Sequence, residues 1–421
     1  MKKVMASAGL LALGALGVQT AHAQLSGGSD KPWSLAATLR GFYDDNYNTQ
    51  PDGPNRVDSF GFEVRPSAAL DLALDQTTLK LSYTYSMKYY DDRPSNKADH
   101  SHDFEALVNH NFSPRYSLDA SESFVIAQEP EVLDRTLSFP LRNNGNNIRN
   151  NGSINFHAQI TELFGVVLGY ANTFYDYQQS GPNSLSASLD RMEHLVTLNG
   201  RWQFEPETTG ILGYQFGAVD HTSSDVLILN NTFPPIVAPA SVRNNYSHYF
   251  YVGAEHKFRR DLSASARVGL QYTDYYNDPT TSSAVGPYAD LSLSYNYIDT
   301  GTATFGFRHS RNQTDVTGGT TGTSTSFTQD QESSTLYGSI VQKLTPKMTG
   351  TLTGQYQNSV YNGGSVNGSA DNFYLVGLNL AYQFMPNLSA ELGYNYDLLK
   401  SGLPNRGYDR NRVYLGVTAS Y

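Results

Sequence analysis

The sequence predicts an all-β fold: a transmembrane antiparallel up-and-down β-barrel of about eighteen strands, with short periplasmic turns and long extracellular loops. Three observations carry that reading. Apolar and polar residues alternate with a period of two in segment after segment. In TTLKLSYTYSMKYY at 77–90, Leu79, Leu81, Tyr83, Tyr85, Met87 and Tyr89 share one face, and Lys80, Ser82, Thr84, Ser86 and Lys88 share the other. Short and long connections alternate as regularly between these segments. Cationic residues keep to one face: Arg65, Lys80, Arg201, Lys257, Arg267, Arg308 and Arg412 all lie between the apolar positions. A Lys or Arg turned toward lipid at mid-depth would cost roughly 2–4 kcal/mol.

Taken in order, the chain opens with a basic MKK, an apolar VMASAGLLALGALGV and a small-x-small AHA, which together read as a secretory signal peptide over 1–23. A single transmembrane anchor is the alternative, but the apolar run is too short for it. Gln24 stands where a lipoprotein would need Cys. Residues 24–34 form a short periplasmic segment, too short for a plug, and 35–421 form the barrel. Eighteen alternating segments begin near residues 35, 58, 77, 102, 116, 152, 164, 190, 209, 246, 262, 288, 303, 332, 348, 371, 388 and 409. Mixed faces around 166–177 and 336–344 leave those two registers open. The short turns include DQ at 75–76, SPR at 113–115, EPET at 205–208, RRD at 259–261, TPK at 345–347 and MPN at 385–387. Between them lie nine loops of roughly ten to twenty-five residues, rich in Gly, Asn, Asp and Pro. The last strand, RNRVYLGVTASY, places Val413, Leu415, Val417, Ala419 and Tyr421 on one face. It is expected to close on the first strand and to serve as the signal read by the barrel-assembly machinery.

Composition narrows the alternatives. The chain has 30 Tyr, 20 Phe and 36 Gly but no Cys, so a disulfide-stapled secreted scaffold is excluded. A net charge of −10 argues against nucleic acid as a partner. A soluble sandwich would bury its apolar faces against each other, whereas here Tyr89, Phe112, Trp202, Phe204, Phe258 and Phe384 crown the strand ends, as interfacial girdles do. Glu122 is the exception to the charge rule. It falls among Leu118, Phe124 and Ile126 and is expected near the outer headgroups.

The turn-plus-strand units HKFRRDLSASARVGLQY, QKLTPKMTGTLTGQY, YQFMPNLSAELGYNY and NHNFSPRYSLDA share an aromatic or Leu, a tight turn, small residues and a following Tyr or Leu. On these units the mature chain resembles the putative β-barrel porin 2 family of Gram-negative outer-membrane proteins. The resemblance implies a porin-like channel, and for some members a place in exopolysaccharide secretion.

Eighteen strands leave an aqueous lumen. Its expected lining mixes both signs, with Arg65, Lys80, Lys88, Arg201, Arg267 and Arg308 set against Glu63, Glu105, Asp119, Glu255, Asp290, Glu391 and Asp397. Such a wall hydrates polar solutes without the single-sign ring that selects ions. One of two loops, 127–151 or the partly apolar 222–245, is expected to fold into or across the mouth. No cofactor is expected. The DHSHD run, Asp99–Asp103, could hold a divalent cation but reads better as a solvated loop. His110, His194 and His256 fall on lipid faces toward the turn side, which leaves no converging Ser, His and carboxylate for an enzyme. The leading expectation is a passive or semi-selective channel for small polar solutes in the outer membrane, exported by the Sec pathway and surrounded by lipid and lipopolysaccharide. An exit pore working with polysaccharide-secretion components is the second, and an outer-membrane enzyme or adhesion scaffold the third.

Overall fold

The computed structural model describes residues 31–127, 146–230, 234–278, 283–318 and 326–421. The signal peptide expected at 1–23, most of the segment at 24–34 and most of the loop at 127–151 lie outside the described residues.

The wall is one closed sheet of eighteen antiparallel strands. Its first half comprises β1 (Trp33–Asp44), β2 (Ser59–Ala73), β3 (Thr77–Tyr90), β4 (Ala98–Ser113), β5 (Tyr116–Ala127), β6 (Asn147–Gln159), β7 (Phe164–Tyr177), β8 (Arg191–Glu205) and β9 (Thr208–His221). The second half comprises β12 (Asn245–Arg259), β13 (Leu262–Asp274), β14 (Ser283–Ile298), β15 (Gly301–Asn312), β16 (Thr328–Thr345), β17 (Met348–Gly363), β18 (Ala370–Met385), β19 (Leu388–Ser401) and β20 (Tyr408–Ser420). Outside the wall, β10 (Val226–Asn230) pairs with β11 (Ile236–Pro239), and a short helix α1 (Leu185–Leu189) sits between β7 and β8. All eighteen expected wall strands are present.

Strand β20 closes on β1 with Thr38 opposite Thr418 and Leu39 opposite Val417. The terminal residue completes the ladder: Tyr421 N–H donates to Leu35 O at 2.8 Å, and Leu35 N–H donates to Tyr421 O at 3.0 Å. Pairing also settles the two open registers. Leu168 and Tyr170 of β7 lie opposite Leu198 and Val196, and Leu336 of β16 lies opposite Phe307 and Tyr356, so each joins an outward apolar row.

One rim carries turns of two to four residues and the other carries longer connections. Several of the latter, at 91–97, 275–282, 364–369 and 402–407, are shorter than the sequence implies, because the strands run on past the apolar band. The same extension corrects the Asp99–Asp103 reading. These residues belong to β4, not to a loop, and the period of two sends their side chains to opposite faces. His100 and His102 turn outward to the Tyr85 and Tyr83 hydroxyls, at 2.7 and 2.9 Å, away from the carboxylates. His194 is a second correction: it faces outward, but three residues from the long-loop end of β8, where it meets Tyr170 at 2.8 Å. Only His110 and His256 lie toward the turns, bonded to Thr77 and Thr208. Glu122 is a third. Its outward register is as read, yet it stands midway along β5 and not at the outer headgroups.

Candidate functional site

The inward face is built by every second residue of the wall, and its charges are largely matched in pairs. Arg40 of β1 bridges Glu63 at 2.9 Å and Glu391 at 2.6 Å, and Ser86 Oγ donates to the same Glu63 at 2.5 Å. Arg65 lies 3.6 Å from Glu63, and Lys88 faces Glu63 across the β2–β3 ladder. Lys80 pairs with Asp71 at 3.0 Å. Arg201 grips Glu255 through both terminal nitrogens, at 3.0 and 2.6 Å, with Arg267 at 3.8 Å from the same carboxylate. Asp290 meets Arg308 at 3.5 Å, Asp119 meets His157 at 2.8 Å, and Glu105 accepts from Ser82 Oγ at 3.5 Å. Strands that are neighbours, or that flank a common neighbour, therefore present opposite charges, so the lumen has local dipoles rather than a ring of one sign.

Above this wall the long connections fold inward. Ser184 caps α1 by accepting from Ala187 N–H at 3.0 Å. Asn183 ties the helix to the β10–β11 hairpin: its N–H donates to Val226 O at 2.9 Å, and its Oδ1 accepts from Ile228 N–H at 2.7 Å. Leu227, Leu229, Ala238 and Val242 of the hairpin region then pack with Ala187 and with Phe327 from the β15–β16 connection. Arg243, fully buried, donates to Thr314 O at 3.0 Å and Val316 O at 2.5 Å. Arg406, between β19 and β20, grips Asp315 at 2.9 and 2.6 Å and Asp371 at 2.9 Å. These connections leave the rim at four separated places, so their mutual contacts cross the mouth rather than follow it. Residues 222–245, one of the two loops expected at the mouth, pack against the β7–β8 and β15–β16 connections; the other, 127–151, falls mostly outside the described residues.

The cap draws part of the wall with it. Strands β14 and β15 are paired only up to Ala289 opposite His309. Above that point β15 leans inside β14. Arg311 N–H donates to Gln271 Oε1 of β13 at 2.9 Å. A Cβ on Gly286 would lie 3.1 Å from Arg311 Nε, so a residue without a side chain suits this approach.

Beneath the cap lies a cavity of about 240 Å³ lined by Thr173, Tyr175, Arg191, Glu193, Tyr249, Gln271, Tyr275, Arg311, Gln313 and Asp330. Its charges are internally compensated: Arg191 donates to Glu193 at 2.6 Å, and Arg311 lies 3.0 Å from Asp330. Hydroxyl and amide groups make up the rest. Gln313 is nine-tenths buried, and its Oε1 has no hydrogen-bond partner among the described residues.

Residues 34–421 match the family model described as "Putative beta-barrel porin 2". The chain belongs to this family. Among curated proteins none matches. Among solved structures, OpdK of Pseudomonas aeruginosa aligns over 92% of this chain and 99% of its own, at 11% identity and a TM-score of 0.44. OccAB4 of Acinetobacter baumannii aligns over 93% and 99%, at 12% identity and a TM-score of 0.42. The FrpB iron transporter of Neisseria meningitidis aligns over 94% and 83%, at 8% identity and a TM-score of 0.45.

Sequence reading of this porin missed Arg40, although it stands on the polar face of its strand and could have been found there. It also missed Arg243, Arg311, Asp315, Asp330 and Arg406. No periodicity marks Arg243, Asp315 and Arg406 in the connections, Arg311 and Asp330 stand at the upper ends of β15 and β16, and the partners lie 19 to 91 residues away in the chain.

Proposed function

We propose that this porin is a semi-selective outer-membrane channel in which small polar, hydroxyl-rich solutes pass through the cavity beneath the loop cap. The observation that carries the proposal is the cap itself: three connections share an apolar core over a lumen whose charges are already paired. A solute entering there meets hydroxyls, amides and matched ion pairs, groups that replace water for a neutral polar molecule without favouring either sign of ion. The buried cap weighs against the polysaccharide exit pore, since a growing polymer would have to unseat all three connections at once.

Conductance in planar bilayers tests this. The wild-type channel is expected to conduct weakly, and deletion of residues 226–240 is expected to raise single-channel conductance and admit larger neutral sugars. Equal conductance and equal sugar cut-off in both proteins would overturn the reading, and absence of conductance in both would remove the channel altogether.

A further inference from the structure

The outward face of the wall is apolar at mid-height on strand after strand, and Glu122 breaks it. Six residues above the turn end of their strands, β13, β15 and β19 present Val268, Phe307 and Tyr394 outward. At that height β5 presents Glu122, opposite Ala106 on one side and Gly152 on the other. The side chain is exposed and laid over Gly152, where a Cβ would come within 2.6 Å of Oε2. The row continues through Asn172 of β7, and Asn150 faces outward one pleat higher on β6, opposite Phe124 and Phe174. Neither Glu122 nor Asn150 has a side-chain hydrogen bond or ion pair among the described residues. Small residues, Ala106, Ala120 and Gly152, keep the surroundings flat.

Hydrocarbon offers a carboxylate and an amide nothing, and ionisable groups at membrane depth ordinarily face protein. A second copy of this chain supplies what is missing. A two-fold axis along the membrane normal preserves depth, and a two-fold interface needs both halves of each contact on one patch. Here the acceptor is Glu122 and the donor is the Asn150 amide, within a pleat of the same height. We propose that the outward face of β4–β7 is a two-fold interface between two copies of this chain, with the Glu122 carboxylate of each accepting from the Asn150 amide of the other.

The chain has no Cys, so a single introduced thiol reports contact cleanly. In isolated outer membranes, oxidation of Ala120→Cys is expected to give a disulfide-linked dimer, whereas Leu352→Cys, outward on β17, gives none. Native mass spectrometry of the purified full chain is expected to show a dimer. Asn150→Asp sets two carboxylates against each other and should weaken it about tenfold or more, a difference of roughly 1.4 kcal/mol. Adding Glu122→Gln to that variant should restore it, which separates lost contact from lost folding. Monomers in the spectrum together with no cross-link above the Leu352→Cys level would overturn the proposal. So would a cross-link to a different protein, or a dimer indifferent to Asn150→Asp.

Discussion

Asp190 shows how one side chain sets the condition of the cap. It ends α1, and its carboxylate accepts from Tyr177 N–H at 2.7 Å and Ser186 Oγ at 2.5 Å. Burial raises its pKa above the ordinary 3.8 despite those bonds, and the nearby charges of Asp176 and Asp225 raise it further. A raised carboxyl pKa means that the folded cap holds the proton more tightly than the unfolded loop does. The stabilisation is complete below the ordinary value and is lost as pH rises through the raised one. Acidification from neutral pH is therefore expected to close the channel, read as a falling open fraction in bilayer recordings. Asp190→Asn should flatten the dependence and hold the cap closed. Arg243 has the opposite bias: burial pulls its guanidinium down to about 10, with Asp315 and Asp330 pulling it back up. It remains charged at neutral pH and satisfies two backbone carbonyls that would otherwise be buried without partners.

The β10–β11 hairpin is the element on which the cap depends. Leu227 is fully buried in the shared apolar core, and burying one such side chain is worth about 1.5–3 kcal/mol. Leu227→Asp removes that gain and places a charge where nothing pairs with it. Conductance is expected to approach that of the hairpin deletion, while resistance of the wall to heat stays unchanged on gel migration. Wall strands were legible because one constraint, lipid outside and water inside, imposes a period of two on every strand. The hairpin was half legible: VLIL and FPPIVAP announce burial, but the partners, Ala187 and Phe327, lie in other loops that no local pattern connects. The inward Phe373, Leu375, Leu399 and Tyr408 cluster was not legible at all. Apolar residues on both faces of β18 and β19 blur the alternation near the capped rim, where the inward ones are buried against each other.

Closure is the property of the whole molecule. The final strand joins the first through nine paired positions, and the Tyr421 ring meets Trp33 at 5.9 Å with the Lys31 ammonium 4.1 Å above it. Val417 lies outward in that last ladder and is 47% exposed, so the lipid contacts it directly. Val417→Arg, three residues from the turn end of β20 and so between the interface and the midplane, is expected to cost roughly 1–2 kcal/mol, seen as an earlier urea midpoint for the folded band in bilayers or detergent. The ladder is less even elsewhere. Above Ala289, β14 has no hydrogen-bonded neighbour on its β15 side, and Pro287, which has no N–H to donate, sits in that stretch. Every other boundary between neighbouring strands resists being pulled apart along most of its length. This one is already parted for its upper third, so mechanical tension in the membrane would concentrate at its lower end. A barrel stretched sideways would begin to unzip there.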